Sequence, residues 1–256
     1  MSKNIELDKF YTPKEVAKKC IDIFWRTCFD ITEIIEPSAG NGSFSLQIPN
    51  CIAYDLEPEH ESIIKQDFLE LNLPYKYGRL IIGNPPFGDR NNLARSFYKK
   101  ATELCDVIAF ILPISQLNNT DSLYEFDLIN SVDLGVLEYS GMKIHCCFNI
   151  YTRPKNGLNS KPKLQTDLFK ILRTGDAEFE NTKADFMFCK RGSVGKEIFE
   201  DGKRFGDEYK IIVFNKSNLQ YVKDTILNFN WKDYKKHQSA PNISKNDILR
   251  LFLNGA

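Results

Sequence analysis

The chain has 256 residues, with 34 Lys+Arg against 34 Asp+Glu, 42% hydrophobic and 12% aromatic residues. That length suits one large domain or a domain with a small appendage, and the composition is that of an ordinary soluble globular protein. No apolar stretch is long enough to span a bilayer, and Met1-Ser2-Lys3-Asn4-Ile5-Glu6 lacks a signal-peptide core. The seven cysteines include no Cys-x-x-Cys pair and only three histidines are present, so reduced cytoplasmic thiols are expected and a metal site is not.

Zero net charge hides an asymmetry. Residues 1–150 carry 14 Lys+Arg and 21 Asp+Glu, whereas residues 151–256 carry 20 and 13. A basic C-terminal part is the electrostatic footprint of a polyanion-binding surface.

In chain order, Phe10-Tyr11-Thr12-Pro13-Lys14-Glu15 opens a helix. Thr12 reads as its N-cap, Pro13 as its first residue and Glu15 as the partner in a capping box. Val16, Cys20, Ile23 and Phe24 follow at helical spacing and predict a packed face. A strand from Ile31 to Ile35 then runs into Glu36-Pro37-Ser38-Ala39-Gly40-Asn41-Gly42-Ser43-Phe44, a glycine-rich turn before a short helix. Such a turn lets backbone approach a ligand closely, although Gly-x-Gly alone is a weak dinucleotide fingerprint. Glu36 offers a carboxylate to a cationic group, which argues against a phosphate site.

A second strand, Cys51 to Tyr54, ends in Asp55-Leu56, where an acid is placed to bind ribose hydroxyls. Ile63 to Leu69 brings a third acid, Asp67, beside Phe68. A buried strand, Leu80-Ile81-Ile82, opens into Gly83-Asn84-Pro85-Pro86-Phe87. Prolines fix φ, lack an N–H and restrict the preceding residue, so this turn leaves backbone carbonyls without local donors. The Asn84 side-chain oxygen, the Pro85 carbonyl and the face of Phe87 together suit a planar group with two N–H donors, such as a purine amine. Ligands of an open α/β sheet bind at the carboxyl ends of its strands, so these turns converge.

A helix from Asn92 to Glu103, a strand from Val107 to Pro113 and a helix near Ser122 to Ser131 follow. Val132 to Tyr139 and Cys146 to Tyr151 then read as a hairpin around Ser140-Gly141. The expected fold is α/β, a Rossmann-like, doubly wound, mostly parallel seven-strand sheet over residues 1–154. Residues 155–256 read as a small basic α+β extension, opening on a linker and loop at 155–183. Asp185 to Lys190 and Tyr209 to Phe214 are its expected strands, with Arg191-Gly192-Ser193-Val194-Gly195-Lys196 a loop able to wrap phosphate backbone. Two short helical patterns close the chain, the last capped by Ser244 with Asp247 three residues on.

Taken together and in this order, the motifs resemble the S-adenosylmethionine-dependent DNA adenine-N6 methyltransferases of gamma motif order, over roughly residues 9–154. The resemblance implies a class I methyltransferase fold and methyl transfer from S-adenosylmethionine to the N6 amine of a flipped-out adenine, leaving S-adenosylhomocysteine. It implies that Tyr11 and Thr12 meet the methionine carboxylate and Glu36 its amino group. Ser38, Gly40 and Gly42 would form the turn under the cofactor, and Asp55 with Leu56 would meet the ribose. Asp67 would accept from the cofactor's adenine amine, with Phe68 alongside the ring. Asn84, Pro85, Pro86 and Phe87 would be the catalytic tetrapeptide, with Phe148 a second aromatic wall for the base. Lys190, Arg191 and Lys196 are candidate contacts to the DNA backbone. Double-stranded DNA is the implied partner, and a cognate restriction endonuclease is left open. The same tetrapeptide also occurs in RNA base and protein-glutamine methyltransferases, and a non-catalytic nucleic-acid-binding module could retain the fold.

Overall fold

The computed structural model describes residues 11–27, 29–139, 141–191, 196–198, 208–234 and 242–253. Phe10, Ser140 and the 192–195 part of the basic loop lie outside the described residues. The chain divides into two compact units that meet between Lys161 and Pro162. Asn159 ties the preceding stretch to the first unit: its N–H donates to the Glu125 carbonyl at 2.9 Å and its amide to Asp127 Oδ1 at 2.8 Å.

The first unit contains helix α1 (Lys14–Trp25), strands β1 (Glu33–Glu36), β2 (Ile52–Asp55), β3 (Ile63–Lys65) and β4 (Arg79–Gly83), and helix α2 (Asn92–Leu104). Strands β5 (Val107–Pro113), β6 (Asp127–Tyr139) and β7 (Met142–Thr152) complete it. The seven strands form one sheet in the order β3-β2-β1-β4-β5-β7-β6. All pairs are parallel except those involving β7, which runs antiparallel to β5 and β6. This is the doubly wound, Rossmann-like arrangement of the class I methyltransferases. Its order reverses between β1 and β4, which lie side by side.

Both sheet faces are covered, which is why the parallel strands read as continuous apolar runs. Side chains alternate across the pleat. Ile35, Ile81, Ile108 and Phe110 face the layer of α2, while Ile34, Leu80, Ile82, Ala109 and Ile111 face the layer of α1. Buried Arg79 at the start of β4 donates to Glu33 of β1 and to the carbonyls of Pro74 (2.7 Å) and Leu104 (2.9 Å). Its charge is thereby satisfied at the strand ends opposite to the turns that carry Glu36 and Asn84.

Several local expectations change. Helix α1 begins at Lys14, with Pro13 in the cap position and no side-chain cap. The Pro13 carbonyl takes the N–H groups of Val16 and Ala17 at 2.9 and 3.0 Å, and Thr12 is engaged elsewhere. Residues 122–131 are not helical. Phe126 gives its N–H to the Tyr98 hydroxyl at 2.9 Å, the Asn119 side chain takes the Asp121 N–H at 2.9 Å, and β6 begins at Asp127. Local side-chain acceptors and the full-length pairing with β7 outcompete the helix.

The second unit is a four-stranded antiparallel sheet, ordered β10-β9-β11-β8, with three helices among the described residues. Its elements are β8 (Phe169–Arg173), β9 (Phe186–Cys189), β10 (Glu197–Ile198), β11 (Glu208–Val213), α3 (Leu219–Leu227), α4 (Trp231–Tyr234) and α5 (Lys245–Leu253). Strand β8 falls within the stretch expected to be linker. Its exposed Lys170 and Arg173 mask the alternation that buries Phe169 and Ile171. These two pack with Phe188, Tyr209 and Ile211 against Val222, Ile226, Trp231 and Ile248 of the helices.

At the last helix the capping reading holds. The Ser244 N–H donates to Asp247 Oδ2 at 2.7 Å and the Asp247 N–H to Ser244 Oγ at 3.1 Å, a reciprocal box. Ser244→Ala should therefore destabilise the second unit by about 1 kcal/mol, read as a lowered denaturant midpoint for that unit's transition. An unchanged midpoint would show that α5 is held by packing alone.

Candidate active site

Because β1 and β4 are parallel neighbours at the point where strand order reverses, their carboxyl ends deliver Glu36 and Gly83-Asn84 to one place. Strand β2 adds Asp55, and the turn after β3 adds Asp67. These ends line a cleft enclosing about 960 Å³, open solvent included. Tyr11, Thr12, Glu36, Ser38 and Gly40 line it, as do Asp55, Leu56, Asp67 and Phe68, and Asn84 through Phe87. Among the described residues, no lysine, arginine or histidine lines it. A phosphate would find carboxylates and no cationic side chain among them, whereas a cation or an N–H donor would meet partners.

The glycine-rich turn is held to the neighbouring strand by Asp55. Asp55 Oδ2 accepts the Gly40 N–H at 2.7 Å, and Oδ1 accepts the Glu57 N–H at 2.8 Å. Gly42 (φ +82°) does not line the cleft; it shapes the turn. Its N–H bonds the Ala39 carbonyl at 2.7 Å, and a Cβ there would lie 2.7 Å from Leu46 Cγ. Asp67 spends one carboxylate oxygen on the Leu69 N–H at 2.8 Å, and its other oxygen accepts nothing from the described residues. Phe68 is buried and stacks on Phe97 of α2, with centroids 5.4 Å apart and planes 23° apart.

Glu36 is 2% exposed. Its Oε2 accepts the Ser45 N–H at 2.7 Å. Burial nonetheless dominates and pushes its carboxyl up to about 8, against the pull of the Ser45 and Phe44 hydrogen bonds and with a smaller push from Asp55. Without a cationic partner, Glu36 is a neutral acid at neutral pH.

Asn84 is the most constrained polar group. Its Nδ2 donates to Thr12 Oγ1 at 3.1 Å, and its backbone carbonyl accepts from Ser38 Oγ at 3.2 Å. Its Oδ1 is buried and has no hydrogen-bond partner. Buried acceptors are rarely left unmade, because each costs about 1–3 kcal/mol. The amide thus presents an empty acceptor beside the carbonyl-rich Pro85-Pro86 turn. Phe87 is half-buried and packs against both core layers. Its carbonyl takes the N–H groups of Leu93 and Ala94 at 3.2 and 3.4 Å, which anchors it to the start of α2.

Several features went unread in the sequence. Gly88 (φ 65°), Arg90 (φ 49°) and Asn91 (φ 64°) form a left-handed arc directly after Phe87; left-handed backbone costs a non-glycine residue about 1–2 kcal/mol. Phe97 had been legible only as a position on a helix. Tyr11 donates its hydroxyl to Glu59 Oε1, and both residues line the cleft. Tyr139, at the end of β6, is buried, which raises its phenol well above the ordinary range. A hydrogen bond from Asn84 acts weakly in the opposite direction, so the phenol lies beside the amide.

One expected site residue lies elsewhere in the first unit, and three belong to the second. Phe148 is fully buried on β7, opposite Ile111, in the core layer of α1, and does not line the cleft. Strand alternation directs Cys147 to one layer and Phe148 to the other, so Phe148 is core and not a second aromatic wall. Lys190, Arg191 and Lys196 belong to the second unit. The Lys190 ammonium sits 5.3 Å over the Tyr209 ring, Arg191 bridges to Asn242, and Lys196 is exposed. Among the described residues, no group of three or more His, Cys, Asp or Glu is placed to hold a metal, and the six described cysteines are unbridged.

No family model and no curated protein matches the chain. Similar solved structures include a Pyrococcus horikoshii protein provisionally assigned as an RNA methyltransferase (16% identity, 59% of this chain and 90% of that one, TM-score 0.48). A modification subunit provisionally assigned to a type I restriction enzyme of Vibrio vulnificus overlaps at 13% identity, 59% of this chain and 46% of that one, with TM-score 0.44. The Mtq2–Trm112 complex of E. cuniculi, responsible for methylating the eRF1 termination factor, overlaps at 12% identity, 57% and 99%, with TM-score 0.42. At these identities and TM-scores the overlaps carry no argument, and the fold is read from the strand order.

Glu36 gives the cleft a pH signature. Its carboxyl lies near 8 in the fold against 4.5 as a free group, so the folded chain keeps a proton that the unfolded chain has lost. That contribution to stability is complete below the free value and disappears as pH rises through about 8. Urea unfolding between about pH 6 and 9 should show the first unit weakening with rising pH, and Glu36→Gln should flatten that slope. Parallel slopes would mean that Glu36 is already ionised in the fold.

Proposed function

We propose that the chain is a site-specific DNA methyltransferase acting on the exocyclic N6 amine of a flipped-out adenine, with S-adenosylmethionine as methyl donor. The observation that carries the reading is the buried, partnerless Oδ1 of Asn84, a residue that lines the cleft and whose amide donates to Thr12. The partner such a site lacks is an N–H donor.

The residues present fit the cofactor. An acid-lined, phosphate-averse cleft suits a ligand with an ammonium, a diol and an adenine amine, and without phosphate. Glu36 would take the ammonium, Asp55 the ribose hydroxyls through its remaining lone pairs, and the uncommitted oxygen of Asp67 the adenine amine, with Phe68 beside the ring. When bound, S-adenosylmethionine supplies an electrophilic methyl group.

The chain's own contribution is positioning. The lone pair of an aryl amine is delocalised into its ring. Asn84 Oδ1 and the Pro85 carbonyl would hold the two amine hydrogens out of that plane and concentrate the lone pair on nitrogen. Phe87 would stack on the base, worth about 1–3 kcal/mol, which offsets part of the few kcal/mol that flipping costs. No strong general base is required, because the amine nitrogen becomes acidic once alkylated and loses its proton afterwards. Alignment supplies most of the rate.

The DNA assignment rests on the resemblance and on charge. With the boundary at Lys161, the second unit carries 17 Lys+Arg against 13 Asp+Glu. That excess is smaller than the division at residue 150 implied. Lys170, Arg173, Lys216 and Lys223 are moreover paired with Glu178, Asp176, Asp185 and Glu197. Lys190, Arg191 and Lys196 remain the proposed backbone contacts. An RNA base or a glutamine amide presents the same N–H donors, so the substrate class is for experiment to decide.

Asn84→Ala should abolish methyl transfer to DNA while calorimetry shows cofactor affinity within a few-fold of the parent; retained turnover would remove Asn84 from the mechanism. Replacing Lys190, Arg191 and Lys196 singly by Ala should each weaken DNA binding irrespective of sequence and lower the salt slope by about one. Unchanged slopes would place the phosphate contacts elsewhere.

A further inference from the structure

Asn84 can serve as an acceptor only while its amide is held one way round, and the groups beside it are the Thr12 hydroxyl and the Tyr139 phenol. A hydroxyl both donates and accepts. Thr12 Oγ1 would therefore satisfy either orientation, by accepting from Nδ2 or by donating to Oδ1. The Tyr139 phenol can likewise donate or accept, so on the Thr12 side the choice follows the Thr12 hydrogen. Among the described residues it goes to no acceptor: Thr12 Oγ1 receives the Asn84 bond at 3.1 Å and makes no other. Thr12 is nevertheless 6% exposed and lines the cleft. Its natural partner is an acceptor on a ligand.

The surroundings indicate which acceptor. Ser43 Oγ donates to the Thr12 carbonyl at 2.6 Å, and two residues on, the Ser45 N–H holds Glu36. Gly83, just before Asn84, lies against Glu36: a Cβ there would be 3.4 Å from Glu36 Cγ. Thr12, Glu36 and Asn84 therefore share one end of the cleft. An α-amino acid carries its carboxylate one carbon from its ammonium. An ammonium on Glu36 thus brings a carboxylate among the neighbours of Glu36, where Thr12 offers an uncommitted O–H.

We propose that Thr12 is a positioning residue that couples a carboxylate at this end of the cleft to the orientation of the Asn84 amide. With its hydrogen given to the carboxylate, Thr12 has only lone pairs left for Asn84. The amide must then present Nδ2 to Thr12 and Oδ1 to the target amine. With the carboxylate absent, the Thr12 hydrogen can turn onto Oδ1, and the reversed amide would face the target amine donor to donor. The target pocket is then competent only when the amino-acid end of the cofactor is seated. This rests on the cofactor assigned under the proposed function, and it adds an order to the site: cofactor first, base second.

The test is made on full-length protein labelled with ¹⁵N-asparagine, with the Asn84 side-chain signals identified by their absence in Asn84→Asp. S-adenosylhomocysteine is compared with its decarboxylated form, which keeps the ammonium and adenosine; calorimetry confirms that each is bound. S-adenosylhomocysteine should shift the Asn84 NH₂ pair and slow its hydrogen exchange about tenfold, and the decarboxylated compound should not. Thr12→Ser should keep the response, and Thr12→Val should lose it while still binding ligand. Equal responses to the two compounds, or a response that survives Thr12→Val, would overturn the coupling and leave the cofactor reading intact. No binding of S-adenosylhomocysteine would remove the cofactor reading and the coupling with it.

Discussion

The parallel pairing of β1 with β4, in the register Glu33 to Arg79 through Ile35 to Ile81, is the constraint on which the site depends. Strand order reverses there, so the loops leaving the two strands turn to opposite sides and leave a cleft between them. The same register that buries Leu80, Ile81 and Ile82 places Glu36 beside Gly83, and so beside Asn84. At the other end, Arg79 and Glu33 close the pair with charge. Apolar burial along the strands thereby fixes the spacing of polar groups at their ends.

Those ends share an electrostatic logic. Among the described residues, every titratable side chain lining the cleft is an acid or a phenol, and the turn that completes it ends in carbonyls whose neighbouring prolines offer no N–H. Such a cleft is costly empty: a buried acid at Glu36 stays protonated and an amide oxygen at Asn84 stays unpaired. The expense is recovered on binding a ligand that brings cations and N–H groups, so destabilisation of the unliganded site and selectivity for such a ligand have one origin. The bonds from Leu93 and Ala94 to the Phe87 carbonyl and the left-handed arc behind it fix Phe87 at the start of α2.

The sheet was legible in the sequence because its strands are buried on both faces and read as uninterrupted apolar runs. The carboxyl-end acids Glu36 and Asp55 were legible for a related reason, since each ends such a run, whereas Asp67 follows Lys65-Gln66 after the short edge strand β3. What the sequence hid depends on long-range partners. Thr12 has every local mark of a helix cap, yet its hydroxyl is taken by Asn84, 72 residues away. Leu123 and Phe126 sit at a helix-like spacing, but the Tyr98 hydroxyl claims the Phe126 N–H and the segment stays irregular. Strand β8 disappears behind exposed Lys170 and Arg173. Phe148 has the right residue type in the right hairpin and points into the wrong layer, because its side is set by pairing register with β5 and not by composition.

The measurement that tests the central claim most directly is identification of the methylated product. Purified protein is incubated with labelled S-adenosylmethionine and, in parallel, duplex DNA, RNA and protein extract; each is then digested and the labelled species is assigned by mass. The account predicts N6-methyldeoxyadenosine from the DNA arm and no label in the other two. Label confined to RNA or protein would contradict the substrate, and a cofactor that binds without label appearing anywhere would contradict the enzyme.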